Sequence, residues 1–172
     1  MMTKRQFLLS GASLAALAAI GAGLGIGLTQ GEAGEARTFE ITKTEEEWRA
    51  ILTPDQYAVL REEGTERPWT SELLKEKRTG VFACAGCDLP LFTSETKFES
   101  GTGWPSFWVE IEGNVGYRED KSFFMTRTEE HCRRCGGHLG HVFDDGPPPT
   151  GKRHCINGLA LVFHPAEEDP TG

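Results

Sequence analysis

Positive charge is in short supply in this chain. Lys and Arg number 18 against 26 Asp and Glu, which leaves a formal net charge of −8. A surface that grips a phosphate backbone needs clustered Lys and Arg, so nucleic acid is not expected as a partner. The acidity reads instead as solubility. Internal repeats are missing apart from two C-x-x-C pairs, and so are long helical patterns: 21 glycines and 9 prolines favour turns and short strands. Cysteine is sparse and odd in number. Of the five, Cys84 pairs with Cys87 and Cys132 with Cys135, while Cys155 stands alone. At 172 residues the chain suits one domain plus a short extension, long enough to bury a core unaided.

Charge is absent altogether from Phe7 to Leu28, where the polar residues are only Ser10 and Ser13. Lys4 and Arg5 precede this stretch. Gly31-Glu32-Ala33 and Gly34-Glu35-Ala36 follow it and offer small residues ahead of a cut, so residues 1–36 read as an export signal. The run Thr3-Lys4-Arg5-Gln6-Phe7-Leu8 resembles a twin-arginine signal with Lys in place of the first Arg. A retained membrane anchor is the rival reading, because 22 uncharged residues just span a bilayer. Their richness in Ala and Gly weakens the drive to insert. The expectation is an exported, periplasmic protein, or one anchored and facing the periplasm. The folded domain is expected over residues 37–165, with a frayed tail over 166–172.

Two helices are expected first. Thr44-Glu45-Glu46-Glu47 is a capping box, followed by Trp48, Ile51 and Leu52 at helical spacing. Thr53-Pro54-Asp55-Gln56 repeats the device with Pro at the first helical position; Tyr57 and Leu60 mark its apolar side, and Gly64 ends it. Leu73-Leu74 suits a brief third turn. Beyond Thr79 short apolar runs alternate with Gly, Asn, Asp and Pro. They are Val81–Ala83, Leu89–Phe92, Phe107–Ile111, Val115–Arg118, Ser122–Thr126, Leu139–Phe143, His154–Ile156 and Leu159–Phe163. Gly113-Asn114 between two of them is a hairpin signal. The fold class is therefore mainly β, with about eight antiparallel strands after short N-terminal helices.

Each C-x-x-C pair has the form of a zinc half-site, since two intervening residues let both sulfurs face one ion and nearby Gly permits the tight turn. Four thiolates from Cys84, Cys87, Cys132 and Cys135 would close a structural site. The 44 residues between Cys87 and Cys132 exceed the usual spacing of about 15–20. That excess costs roughly 0.8 kcal/mol of loop closure, against about 10–16 kcal/mol for structural zinc in small peptides, so the metal term wins. Disulfides or redox-active pairs are the competing reading.

Cys155 sits in Arg153-His154-Cys155-Ile156-Asn157. A free Cys is often only a small buried hydrophobe. In a strand, however, Arg153, Cys155 and Asn157 share a face. An adjacent guanidinium favours thiolate, and Asn157 can hydrogen-bond a polar group. His138 and His141, Gly-flanked and followed by Asp144 and Asp145, are placed to titrate and donate protons. Gly101-Thr102-Gly103-Trp104-Pro105-Ser106-Phe107 offers an aromatic wall, with Trp104 and Phe107 as substrate-binding candidates.

Three motifs now carry a resemblance. Glu99 to Phe107 (ESGTGWPSF), Cys132 to Phe143 (CRRCGGHLGHVF) and Arg153 to Asn157 (RHCIN) closely resemble B-type peptide-methionine (R)-S-oxide reductases, in family order and over about residues 40–164. The resemblance implies two antiparallel sheets, one zinc per chain on the four paired cysteines, and reduction of the R epimer of methionine sulfoxide, mainly in peptides. It implies Cys155 as nucleophile, Trp104 against the substrate methyl group, and His138, His141, Asp145, Arg153 and Asn157 around the reacting centre. Oxidised proteins and free methionine-R-sulfoxide are the implied substrates. Many relatives carry a resolving Cys where this chain has Thr102. With four cysteines assigned to metal, an external thiol such as a thioredoxin-like protein is expected to regenerate Cys155. A monomer is expected. Two rival functions remain: a zinc-stabilised binding module without catalysis, and a C-x-x-C disulfide oxidoreductase without zinc.

Overall fold

A computed structural model describes residues 38–122 and 125–167. The expected export signal or anchor lies outside the described residues, as does the expected tail beyond residue 167. Both expected helices form, α1 over Glu45–Ile51 and α2 over Pro54–Glu62. Each begins with a reciprocal capping box, Thr44 with Glu47 and Thr53 with Gln56, which satisfies backbone donors that the first turn leaves orphaned. Trp48, Tyr57 and Leu60 are buried, and so is Val59. Helix α2 ends differently from expectation. The left-handed residue is Glu63 (φ 57°), while Gly64 is needed for close approach: a Cβ there would stand 2.8 Å from the Ala58 carbonyl oxygen.

Nine strands follow among the described residues: β1 Gly80–Cys84, β2 Pro90–Thr93, β3 Lys97–Phe98, β4 Ser106–Phe107, β5 Val115–Asp120, β6 Arg127–Cys132, β7 His138–Phe143, β8 Arg153–Ile156 and β9 Leu161–Pro165. They form two antiparallel sheets, ordered β2-β1-β9 and β3-β4-β8-β7-β6-β5. The protein is mainly β, as expected.

Two local expectations change. The run from Phe107 to Ile111 contributes only Phe107 to a strand, because Ile111 N–H donates to the Leu91 carbonyl (2.8 Å) and leaves the sheet. The Gly113-Asn114 turn forms, with Asn114 N–H on the Ile111 carbonyl, but it joins no hairpin: β4 and β5 lie in second and sixth place of their sheet. Of the run expected at Ser122–Thr126, residues 123 and 124 lie outside the described residues, and the next described strand begins at Arg127.

The core lies between the sheets. Phe82, Phe92, Leu91, Leu139 and Ile156 have no exposed surface, and Phe92 stacks on Phe107 at 4.3 Å between centroids. Phe107 also meets Phe82 edge-on at 5.0 Å. Phe107 is 0 % exposed, so it is a core residue and not the substrate contact expected from the motif. Burying each such ring stabilises the fold by about 1.5–3 kcal/mol.

Candidate active site and metal centre

The four paired cysteines converge. Their sulfurs all lie within 4.8 Å of one another, with Cys84 Sγ 3.7 Å from Cys135 Sγ and Cys87 Sγ 3.4 Å from Cys132 Sγ. A tetrahedron of thiolates at the usual Zn–S length has edges of about 3.8 Å, so the donor set fits zinc. In each knuckle the residue after the second cysteine is left-handed, Asp88 at φ 57° and Gly136 at φ 70°. At Gly136 a Cβ would strike the Phe39 ring at 2.3 Å. Arg61 donates to the Cys135 carbonyl and Arg134 to the Cys87 carbonyl, which orients both loops from outside. The S–H···S contacts push Cys84 and Cys135 up and Cys87 and Cys132 down, so a dication is the group that would stabilise all four as thiolates.

Cys155 lies on β8, paired with Ser106 of β4 on one side and His141 of β7 on the other. The strands approach closely here: a Cβ on Gly140 would sit 2.0 Å from the Cys155 carbonyl oxygen, which is why β7 carries Gly at that point. Thr102 Oγ1 is 3.8 Å from Cys155 Sγ. Burial pushes the Cys155 thiol above its ordinary value, although Thr102 and Arg153 both pull it down. The expected effect of Arg153 is present in direction, but burial outweighs it, so the resting form is the thiol.

Arg153 is held rigidly. Its Nε and Nη2 donate to the two oxygens of Asp145 (2.8 and 3.0 Å), and its guanidinium stacks on Phe143 at 4.4 Å. Asp145 thus orients Arg153, and its own side chain is largely exposed. The face shared by Arg153 and Cys155 ends there, since Asn157 lies past the end of β8. The Asn157 amide is already engaged: Oδ1 accepts from Glu66 N (3.0 Å) and Nδ2 donates to the Leu139 carbonyl (2.9 Å).

His138 and His141 are three residues apart, yet their rings meet edge-on at 5.5 Å. The cause is an irregularity in β7: Glu130 pairs with Gly140 while His131 pairs with His138, so β7 holds one extra residue and turns both imidazoles the same way. His141 Nε2 lies 2.8 Å from Asp120 Oδ2. Hydrogen bonds from Ser122, with His141 and Arg127, hold Asp120 far below the usual carboxylate range. An ionised carboxylate only accepts, so Nε2 carries the hydrogen and Nδ1 is left to receive or hold a proton. Burial pushes His141 below its ordinary value, against the pull of Asp120. His138 Nδ1 lies 2.7 Å from Glu129 Oε1, while its buried Nε2 has no hydrogen-bond partner among the described residues.

A cleft of about 130 Å³ collects Thr65, Trp104, Arg127, Gly140, His141, Phe143, Cys155 and Asn157. Of the expected residues, it therefore unites Cys155, His141, Trp104 and Asn157. His138 opens on an adjoining polar groove of about 600 Å³ that also reaches Thr65, Arg127 and His141. Thr65, Glu66, Asp120, Arg127 and Glu129 were not anticipated. Arg127 and Glu129 had one sequence signal, two charged residues at strand spacing in a run that ends on Cys132; the others had none.

A SelR domain model matches residues 52–165. A peptide methionine sulfoxide reductase MsrB from Methanosarcina barkeri is 56% identical over 133 residues, covering 77% of this chain and 94% of the relative. One from Pseudomonas putida is 56% identical over 129 residues, covering 74% and 97%. One from Agrobacterium fabrum is 52% identical over 127 residues, covering 73% and 94%. The solved Mis18 'Yippee-like' domain covers 53% of this chain and 100% of its own at 17% identity and a TM-score of 0.44, a likeness too distant to carry an argument. A domain match over residues 52–165 and relatives more than half identical over nearly their whole length, on a chain whose cleft gathers Cys155, His141 and Trp104, show the family: the chain belongs to the SelR-domain family, the MsrB-type peptide methionine sulfoxide reductases.

Proposed function

We propose that this protein reduces the R epimer of methionine sulfoxide, mainly in peptide linkage, through a sulfenic acid on Cys155. The observation that carries the reading is the small cleft in which Cys155, His141 and Trp104 meet. The indole of Trp104 suits the S-methyl group, a small apolar target. Cys155 attacks the sulfoxide sulfur, and the sulfoxide oxygen must take up a proton. The resting site already contains that proton on the thiol. A neutral His141, hydrogen-bonded through Nε2 to Asp120, is able to take it on Nδ1 and pass it to the oxygen. The step balances: thiol plus sulfoxide gives thioether plus Cys155 sulfenic acid, with the oxygen moved to Cys155 and two electrons supplied by its sulfur. Arg153, fixed by Asp145, stabilises charge on the sulfur as the proton leaves.

Regeneration falls to an external thiol, such as a thioredoxin-like protein. The Gly101–Trp104 loop presents the Thr102 hydroxyl, not a thiol, 3.8 Å from Cys155 Sγ, and the other four cysteines are gathered in a cluster that suits a metal. Zinc on those four would supply scaffold stability and no step of the reaction. Export to the periplasm, with the signal cleaved or retained as an anchor, is part of the reading and rests on residues 1–36 of the sequence.

The test is turnover of separated R and S epimers with dithiothreitol, wild type beside Cys155→Ser. R-only activity that vanishes in the variant is expected, and a single thiol-free turnover leaves a dimedone-reactive Cys155. Equal activity in both proteins, or an intramolecular disulfide to Cys155 at full zinc content, overturns the reading.

A further inference from the structure

Glu66 lies in the irregular segment after α2, is only 8 % exposed, and has no role in the chemistry just described. Its carboxylate accepts the N–H groups of Gly158 (2.5 Å) and Leu159 (3.2 Å). Those are the first donors of the short 3-10 turn Gly158–Ala160, whose N-cap residue is Asn157. Asn is a strong capping residue, yet here its side chain caps nothing, because its amide is drawn off to Glu66 N and the Leu139 carbonyl. Glu66 takes over the cap from 92 residues away. The exchange is reciprocal, the Asn157 side chain accepting from Glu66 N and the Glu66 side chain accepting from the turn that Asn157 opens.

The same residue reaches the cleft by its other backbone group. Trp104 Nε1–H donates to the Glu66 carbonyl oxygen at 3.1 Å. An indole has one donor, and that bond fixes the roll of the ring about its own axis. Trp104, Asn157 and the turn that follows the nucleophile strand are thus tied to one residue. There is little slack in the arrangement: a Cβ on Gly158 would stand 1.9 Å from Ser71 Oγ and 3.3 Å from Glu66 Oε1.

We propose that Glu66 is a positioning residue for substrate recognition, setting the plane of Trp104 and the place of Asn157 at the mouth of the Cys155 cleft. The proposal rests on the reading of Trp104 as the contact for the S-methyl group. Glu66 touches no reacting atom. Its carboxylate is anchored on the Gly158–Leu159 main chain, and its own backbone holds the two side chains that face the ligand, the carbonyl accepting from Trp104 and the N–H donating to Asn157.

Two readouts test it. The first is hydrogen exchange of the Trp104 indole N–H, followed in 15N-labelled protein. In Glu66→Ala it is expected to speed up about tenfold, the loss of roughly one hydrogen bond, with Trp48 and Trp108 unchanged. The second is kinetics on a methionine-R-sulfoxide peptide. KM is expected to rise about tenfold with kcat within about threefold, while iodoacetamide alkylation of Cys155 keeps its wild-type rate. Trp104→Phe removes the indole donor together with the pyrrole ring that carries it, and keeps a six-membered aromatic ring. The double variant Glu66→Ala/Trp104→Phe is expected to be no worse in KM than the more impaired single variant. Glu66→Gln, which keeps one acceptor oxygen and the side-chain volume, serves where the alanine variant fails to fold, with intermediate changes in both readouts. Unchanged indole exchange, an unchanged KM, or additive effects in the double variant each overturn the proposal. A wild type inactive on both epimers would instead sink the functional reading, and the exchange measurement would still judge Glu66.

Discussion

At Cys155 burial and charge pull in opposite directions. Arg153 and Thr102 lower the thiol's pKa, burial raises it, and burial wins. Thiolate forms only as pH rises through a pKa above the ordinary thiol value. Alkylation of the free enzyme by iodoacetamide is therefore expected to keep accelerating beyond about pH 9. Arg153→Gln removes a downward influence and should slow alkylation at pH 8 by about threefold or more. A rate that levels off below about pH 8 in wild type would contradict the burial argument. The importance of Cys155 was legible, because an unpaired cysteine beside a fixed cation is a local pattern. The sign of its shift was not, because desolvation is a property of everything packed around it. The same divide separates His141, readable from its motif, from Asp120, which reaches it across 21 residues.

Strand β6 is the element that the sequence concealed. Arg127-Thr128-Glu129-Glu130-His131 carries no apolar pattern, yet Glu129 and Glu130 are 2 % and 0 % exposed. Their partners come from other strands: Glu129 holds His138 of β7, and Glu130 lies 2.6 Å from His154 of β8. Apolar patterning cannot report a strand whose buried side is ionic. The capping boxes of α1 and α2 were read correctly because each closes within four residues. The Glu130–His154 pair lies next along the strand from Cys155, with Glu110 3.3 Å from the other imidazole nitrogen. His154→Leu strands Glu130 without a partner and is expected to cost about 3–5 kcal/mol in urea unfolding. Adding Glu130→Leu should return most of that loss, since an apolar pair carries no desolvation penalty. A single variant as stable as wild type would show that the pair contributes nothing.

Across the whole molecule, the four-cysteine centre joins parts that the sheets leave separate. Cys84 ends β1 of the three-stranded sheet, and Cys132 ends β6 of the six-stranded one. A metal held there would clip one sheet to the other. Elemental analysis is expected to find one zinc per chain, and Cys84→Ser should lose both the metal and several kcal/mol of stability, on the order set by structural zinc sites. Activity would fall with the fold although Cys155 is untouched. Metal-free protein with wild-type stability and turnover would refute this. Short punctuated strands made the mainly β class legible in advance, and the resemblance of the motifs to a known family implied its two sheets. The strand order was not, since β4 is followed in the sheet by β8, a neighbour far along the chain. That order has one more effect. Cys155 occupies an interior strand, with β4 bonded on one flank and β7 on the other. Such strands open only when the whole domain opens, whereas loops and edges open alone. Cys155 therefore has no private route to displacement. Loss of its position and loss of the native state are one cooperative event, and while the molecule is folded the conformational search that brings sulfur to sulfur belongs to the ligand.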